Sequence, residues 1–169
     1  KIPYRRRSGK SLAEQADRHT LYQESVQCVE AEIDMVDENF KKLRGRRATS
    51  LREDFCGTAN TSCEWVRRHV INIAVGVDLD QEVLDWAQTH NVQQLQESER
   101  SRISLLNKNV LTVMTQPMDT ILAMNFSYQA FKTRVQLKGY FQSVYEALTD
   151  DGVFFLDAFG GYEAFREMT

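Results

Sequence analysis

Apolar residues fall first at helical spacing along this chain and then in short runs separated by amphipathic stretches. Segments 11–21 and 24–43 read as helices. In the second, Val26, Val29, Val36, Phe40 and Leu43, with Ile33 between, recur at steps of three and four and form one apolar stripe. Gly45 then ends the helix, because glycine enters the left-handed region without steric cost. Residues 50–55 (SLREDF) predict a strand, CGTAN a turn, and the stretch through Glu64, Trp65 and Val66 a helix. Residues 71–78 (INIAVGVD) are the clearest buried strand, rich in β-branched side chains. Asp80 is placed to cap a helix that starts at Gln81 and carries Val83, Leu84, Trp86 and Ala87. Ile103–Leu106 and Asp119–Met124 predict the third and fourth strands. A long helix over 129–149 carries Phe131, Val135, Phe141, Val144 and Leu148. The turn Asp150-Asp151-Gly152 leads into a fifth strand, VFFLDAF, ending near Phe159, and Gly160-Gly161 opens another helix.

Strands alternating with helices over short links imply right-handed βαβ units and a mainly parallel sheet. Such a sheet binds ligands outside the carboxyl ends of its strands, at the switch point beside the first strand. The length of 169 residues suits one domain, and the chain shows no internal repeat. With 42% hydrophobic residues, eight Gly and two Pro it is neither disordered nor collagen-like. A net charge of −3 argues against a protein built around non-specific nucleic-acid binding. No apolar run reaches the roughly 18 residues a membrane span needs, and the start KIPYRRRSGK lacks the apolar core of a signal peptide. A soluble, cytoplasmic protein is expected.

Cys28, Cys56 and Cys63 form no C-x-x-C pair, so buried reduced thiols are expected, although Cys56 and Cys63 have the option of meeting in space. His19, His69 and His90 lack metal-ligand spacing, and no catalytic metal is expected. Basic residues cluster at Lys1, Arg5, Arg6, Arg7 and Lys10, and again at Lys41, Lys42, Arg44, Arg46, Arg47 and Arg52. They read either as a phosphate-attracting surface or as a basic tail plus a solvated helix end; no interleaved aromatics favour the former.

Chemistry is expected just after the strands. Glu53 to Ser62 (EDFCGTANTS) is a small-residue turn that lets a ligand approach the backbone and offers it the unpaired amides of the next helix. As a dinucleotide fingerprint it is poor, running G-x-A-x-x-S from Gly57. Asp78 ends the second strand twenty-one positions after Gly57, where an acid accepts hydrogen bonds from both ribose hydroxyls. Leu79 would lie against a base, and capping by Asp80 leaves Asp78 free for this role.

RED-FCGTA followed by GVDLD resembles the class I S-adenosylmethionine-dependent methyltransferases, whose first motif reads D-x-G-x-G-x-G, often with CGTG in its middle. The resemblance runs from roughly 45 to 159 and implies a Rossmann-like α/β fold: a mainly parallel sheet flanked by helices. On it, Cys56, Gly57 and Thr58 fall in the cofactor loop, and Glu53 takes the acidic position that approaches the methionine amino group. Phe55 and Ala59 stand where the family has glycines. Asp78 matches the ribose acid and Leu79 the adenine-packing position. Asn109 matches an adenine-contacting Asp, its side-chain carbonyl able to accept the same hydrogen bond, with Val110 packed beside it. Met124-Asn125-Phe126-Ser127-Tyr128 occupies the place of N-P-P-Y, without its prolines. Asn125 and Tyr128 therefore either grip a planar amine or simply line the cleft.

Methyl transfer asks mainly for alignment and exclusion of water. Tyr22 or Tyr128 could place an aromatic face near the sulfonium. His19 is a candidate general base or an ordinary surface histidine, and Tyr22 a lid residue or a helix-packing aromatic. Residues 1–45 are expected to form an N-terminal helical lid and 46–169 the S-adenosylmethionine-binding domain. The resemblance implies S-adenosyl-L-methionine as cofactor, S-adenosyl-L-homocysteine as product and a small-molecule acceptor. Alternatives are a nucleic-acid or protein methyltransferase docking through the basic N-terminal region, and a non-catalytic cofactor-binding protein. The family sheet has seven strands, so the chain, starting at Lys1 and stopping at Thr169, is expected to lack strands six and seven.

Overall fold

A computed structural model of the chain describes residues 16–26 and 28–161. Two helices, α1 (Arg18–Val26) and α2 (Val29–Arg44), precede the sheet. Then follow β1 (Ser50–Asp54), α3 (Asn60–Arg68), β2 (Ile73–Asp78), α4 (Gln81–His90), the short α5 (Glu97–Arg100) and β3 (Ile103–Asn107). The chain continues through β4 (Met118–Ala123), α6 (Arg134–Ala147) and β5 (Leu148–Leu156). All pairings are parallel, in the order β3-β2-β1-β4-β5. The order reverses between β1 and β4, so the crevice for a ligand opens at the carboxyl ends of those two strands.

Helices cover both faces. On one, Ile33, Val36 and Phe40 of α2 and Trp65 and Val66 of α3 pack with Leu51 and Leu122. On the other, Tyr140 and Val144 of α6 pack with Val77 and Ile121. Central β1 is buried along its whole length although three of its five residues are charged. Arg52 and Asp54 solve this by pairing: Arg52 Nε and Nη2 donate to the carboxylate at 2.8 and 3.0 Å, and the Tyr140 hydroxyl donates to it at 2.9 Å.

The elements occur in the expected order, with several boundaries moved for identifiable reasons. Helix α1 starts at Arg18, where Asp17 Oδ1 accepts from the His19 and Thr20 amides, and runs to Val26 rather than 21, and α2 starts at Val29 rather than 24. Residues 11–15 of the predicted first helix lie outside the described residues. Leu43, assigned to the apolar stripe, is 60% exposed. Gly45 closes α2 in the left-handed conformation, as expected. Strand β2 starts at Ile73, since the Asn72 side chain donates to the Trp65 carbonyl and Ile71 is exposed. The helix predicted over 129–149 is shorter, because the Thr133 hydroxyl accepts from the Gln136 amide and caps it at Arg134. Val135 at its start is 82% exposed, and Tyr140, absent from the predicted stripe, is buried instead.

Asp150-Asp151-Gly152 is not a separate turn but an irregularity within β5. Leu148 pairs with Met118, whereas Val153 pairs with Thr120. Asp151 thereby reaches Arg46, whose guanidinium also holds Asp119. The strand stops at Leu156, short of Phe159. The helix expected after Gly161 lies outside the described residues.

Candidate functional site

The loop after β1 takes the shape that glycines give elsewhere, without the glycines. Phe55 and Ala59 both have left-handed backbones, φ 57 and 54, alongside Gly57 at 50. A side chain in that region costs roughly 1–2 kcal/mol. Neighbours offset the strain: the Cys56 amide donates to Val77 O at 3.0 Å, and the Phe55 ring packs edge-on against Tyr140. Gly76 of β2 is needed beneath the loop, because a Cβ there would meet Cys56 Sγ and Leu105 Cδ2 at 2.9 Å. Above Gly57 the space is open.

Two carboxylates fasten this loop. Asp78 Oδ2 accepts from the Gly57 amide at 2.8 Å, and Oδ1 accepts from the Asp80 amide at 2.9 Å. Asp80 caps α4 as expected, accepting from Glu82 and Val83. Asp78 is nevertheless not free: each of its oxygens already holds one backbone amide and keeps a second lone pair for a ligand. Glu53 is buried, and its Oε2 accepts from the Ser62 amide at 2.9 Å and from the Ser62 hydroxyl. Burial pushes its carboxyl up to about 7, with Glu32 nearby adding repulsion against the Ser62 hydrogen bonds.

A cleft of about 190 Å³ lies over this loop. Of the sequence candidates, His19, Tyr22, Glu53, Cys56, Gly57, Thr58 and Asn125 line it, and Asp78 is bonded to its wall through Gly57. Larger hollows of about 310 and 360 Å³ run along α6 and touch no candidate residue, so they have no claim on the chemistry.

Four candidates lie elsewhere. Leu79 is 67% exposed, its carbonyl accepting from Asn107 Nδ2. The Asn109 side-chain carbonyl, expected to face an adenine amino group, accepts the Leu111 amide at 2.9 Å. Val110 is buried in the core beside Val77 and Val113, because its neighbours belong to the α6 face of the sheet. Tyr128 turns to the same face and lies near Phe141, its ring 6.5 Å away, not in the cleft.

The N-terminal helix closes one side. The His19 ring tilts over Trp86, 5.2 Å away, and Trp86 stacks on His90 at 4.3 Å. Trp86 Nε1 donates to Asp17, and Asn91 Nδ2 bridges Gln23 and the Thr58 carbonyl. Tyr22 is partly exposed, and burial, followed by Glu32, Asp157 and Glu53, raises its hydroxyl above the ordinary value. Burial likewise raises Glu32, whose carboxylate accepts from Thr61.

Sequence reading passed over Thr61, Val83, Met124 and Ser127, which also line the cleft. Thr61 falls in the small-residue turn and Met124 and Ser127 in the stretch after the fourth strand, while Val83 is the first apolar position after the Asp80 cap. Asp157 was read as part of a strand, yet its carboxylate binds the loop after β4.

Cys56 and Cys63 are buried free thiols and Cys28 is exposed. Burial pushes the Cys63 thiol up to about 12, so it is inert. Among the described residues no group of His, Cys, Asp and Glu could hold a metal ion, and no helix is long and apolar enough to cross a membrane. Half of the second basic cluster is engaged in ion pairs, while Lys41, Lys42 and Arg44 are exposed. Arg52 is fully buried against Asp54, Arg46 binds Asp119 and Asp151, and Arg47 pairs with Asp37. The first cluster lies outside the described residues.

No protein-family model matches the sequence, and no curated protein matches it. Solved structures do. An amino pentose methyltransferase from Micromonospora echinaspora, CalS10, solved with S-adenosylmethionine bound, is similar with a TM-score of 0.69 at 16% identity, over 86% of this chain and 57% of that one. An S-adenosylmethionine-dependent methyltransferase from Clostridium acetobutylicum is similar with a TM-score of 0.67 at 20% identity, over 82% and 55%. The glycopeptide N-methyltransferase MtfA, in complex with S-adenosylmethionine, gives 0.59 at 16%, over 72% and 52%. The fold is therefore that of the class I S-adenosylmethionine-dependent methyltransferases. Within it, the chain spans little more than half the length of each of these proteins.

Proposed function

We propose that this chain binds S-adenosylmethionine in the cleft over Gly57 and belongs to a methyltransferase that acts on a small-molecule acceptor. The observation that carries the reading is the coupling of Asp78 to the Gly57 amide beside buried Glu53, all at the switch point of the sheet. The residues present fit the cofactor. Space is open above Gly57, a buried carboxylate waits at the end of β1, and the buried Thr58 hydroxyl has no partner among the described residues.

In this reading Glu53 meets the amino group of the methionine portion, where a cation favours the charged form of a carboxyl that burial otherwise holds near neutral. Asp78 accepts from the two ribose hydroxyls through its remaining lone pairs. Val83, which lines the cleft, flanks the base. Bound S-adenosylmethionine supplies a methyl group already activated on a sulfonium. The protein's work is to fix direction and exclude water. Helix α1, held over the cleft by Asp17, His19 and Gln23, serves as the lid. His19 and Tyr22 line the cleft, and His19 is the group that could take a proton where the acceptor carries one. Similar folds act on small molecules and peptides, an amino pentose and a glycopeptide among them, which favours a small-molecule acceptor.

Calorimetric titration with S-adenosylhomocysteine tests this. Saturable binding to the folded chain is expected, and its absence would refute the reading. A screen of small molecules with labelled cofactor then identifies the acceptor.

A further inference from the structure

The loop after β4 holds two consecutive residues, Asn125 and Phe126, with left-handed backbones at φ 55 and 56. Neither is glycine, so each carries a Cβ where the backbone leaves it little room. Their amides point the same way, and the Asp157 carboxylate receives both: Asn125 N–H to Oδ2 at 3.1 Å and Phe126 N–H to Oδ1 at 2.8 Å. Adjacent amides so arranged form a small anion-binding concavity, here filled by a side chain of the same protein. Two further contacts define the loop. Ser127 Oγ donates to Met124 O at 2.8 Å, and the Phe126 ring meets Phe159 edge-on at 5.5 Å.

The consequence concerns the cleft. Met124, Asn125 and Ser127 line it, while the Phe126 ring turns away to Phe159. A left-handed pair is what puts Asn125 on one side and Phe126 on the other. With the carboxylate removed, both amides lose their acceptors, and ordinary right-handed or extended backbone becomes the better choice for residues with side chains. Asn125 would then leave the cleft wall.

We propose that Asp157 is a positioning residue: by accepting the Asn125 and Phe126 amides it locks the loop after β4 in the conformation that presents Asn125 to the ligand cleft. Both carboxylate oxygens are engaged in this way, so Asp157 acts through Asn125. The ligand used to test it rests on the methyltransferase reading above.

The test is a set of variants of the whole chain, titrated calorimetrically with S-adenosylhomocysteine and checked for folding by circular dichroism. Asp157→Ala should weaken binding about tenfold, the order expected for losing hydrogen bonds to a charged group. Asp157→Asn, which keeps one acceptor oxygen, should fall between. Adding Phe126→Gly to Asp157→Ala should recover part of the affinity, because glycine adopts the left-handed backbone unaided. A merely electrostatic or stabilising role for Asp157 predicts no recovery. Wild-type affinity in Asp157→Ala, or equal weakness with and without Phe126→Gly, overturns the proposal. Backbone NMR separates it from the reading it rests on. If S-adenosylhomocysteine fails to bind the wild type, loss of the left-handed signature in the Cα and Cβ shifts of Asn125 and Phe126 in Asp157→Ala still establishes the lock; an unchanged signature removes it.

Discussion

The Gly57 amide donates to Asp78 Oδ2 at 2.8 Å, which makes the loop after β1 and the acid ending β2 a single mechanical unit. Strand pairing brings them together: Glu53 is opposite Gly76 and Asp54 opposite Val77, so the residues that follow each strand emerge side by side. A ligand that engages Asp78 therefore meets a carboxylate already oriented by the loop.

Asp78→Ala removes both the loop's anchor and the acceptor offered to a ligand. Hydrogen bonds to a charged group contribute about 1.5–3 kcal/mol, so affinity for S-adenosylhomocysteine should fall roughly tenfold to a hundredfold by calorimetry. An unchanged dissociation constant would show that Asp78 is not at the ribose.

Glu53 makes binding depend on pH. Its carboxyl is raised from an ordinary 4.5 to about 7, chiefly by burial, so near neutrality the free protein holds a proton there that an ammonium partner would expel. Affinity for S-adenosylhomocysteine should rise as pH increases through about 7, with proton release seen as a buffer-dependent heat. Glu53→Gln should flatten the profile. The sign for folding is opposite. A raised acid stabilises the native state fully below about 4.5, and that contribution is lost as pH climbs towards about 7. A wild-type affinity indifferent to pH in this window contradicts the assignment of Glu53 to a cationic group.

Asp54 accepts from Arg52 and Tyr140, all three buried, in the middle of the sheet. Removing one member strands a buried charge. Asp54→Ala should cost about 3–5 kcal/mol in urea unfolding. Tyr140→Phe, which leaves the Arg52–Asp54 pair intact and removes one hydrogen bond to the carboxylate, should cost about 1.5–3 kcal/mol. Replacing Arg52 and Asp54 together by Met and Leu should cost less than Asp54→Ala alone. A double variant weaker than the single one would mean that the pair stabilises the fold outright.

Gly76→Ala would place a methyl 2.9 Å from Cys56 Sγ and Leu105 Cδ2. Overpacking of this kind costs about 1–3 kcal/mol, and here it also lifts the loop carrying Gly57. Thermal unfolding and S-adenosylhomocysteine affinity should both suffer. Adding Cys56→Ala removes one of the two clashing atoms and should return part of each. If affinity is untouched while stability falls, the loop does not rest on Gly76.

Much of the architecture is legible in the chain because it is written in local terms. The β-branched run IAVGVD can hardly be anything but a buried strand, and Asp80 caps α4 through its own next residues. Cys56, Gly57 and Thr58, which line the cleft, follow from their position after β1 and their small size, and Glu53 from its acidic side chain near the end of that strand. Asn109 and Val110 did not come out as expected, for opposite reasons. The Asn109 carbonyl is drawn into a hydrogen bond two residues along its own chain, and Val110 is pulled into the core behind the sheet. A spacing rule counts residues and carries no information on which way a side chain faces.

What the sequence determined by itself is the alternation of strand and helix, the end at which the cleft opens, and the chemical types found there, since periodicity, capping and turn chemistry act over a few neighbours. What only the tertiary structure decided is which of those groups share a space. Phe55 keeps a glycine-like backbone against Tyr140 of α6, and Ala59 keeps one packed with Leu84 and Ala87 of α4, a cost no sequence rule would accept. Asp157 reaches across thirty-two positions to Asn125 because β4 and β5 are paired in parallel and end side by side. Contacts of that range depend on strand order and register, which are set by the packing of the whole sheet and not by any segment of it.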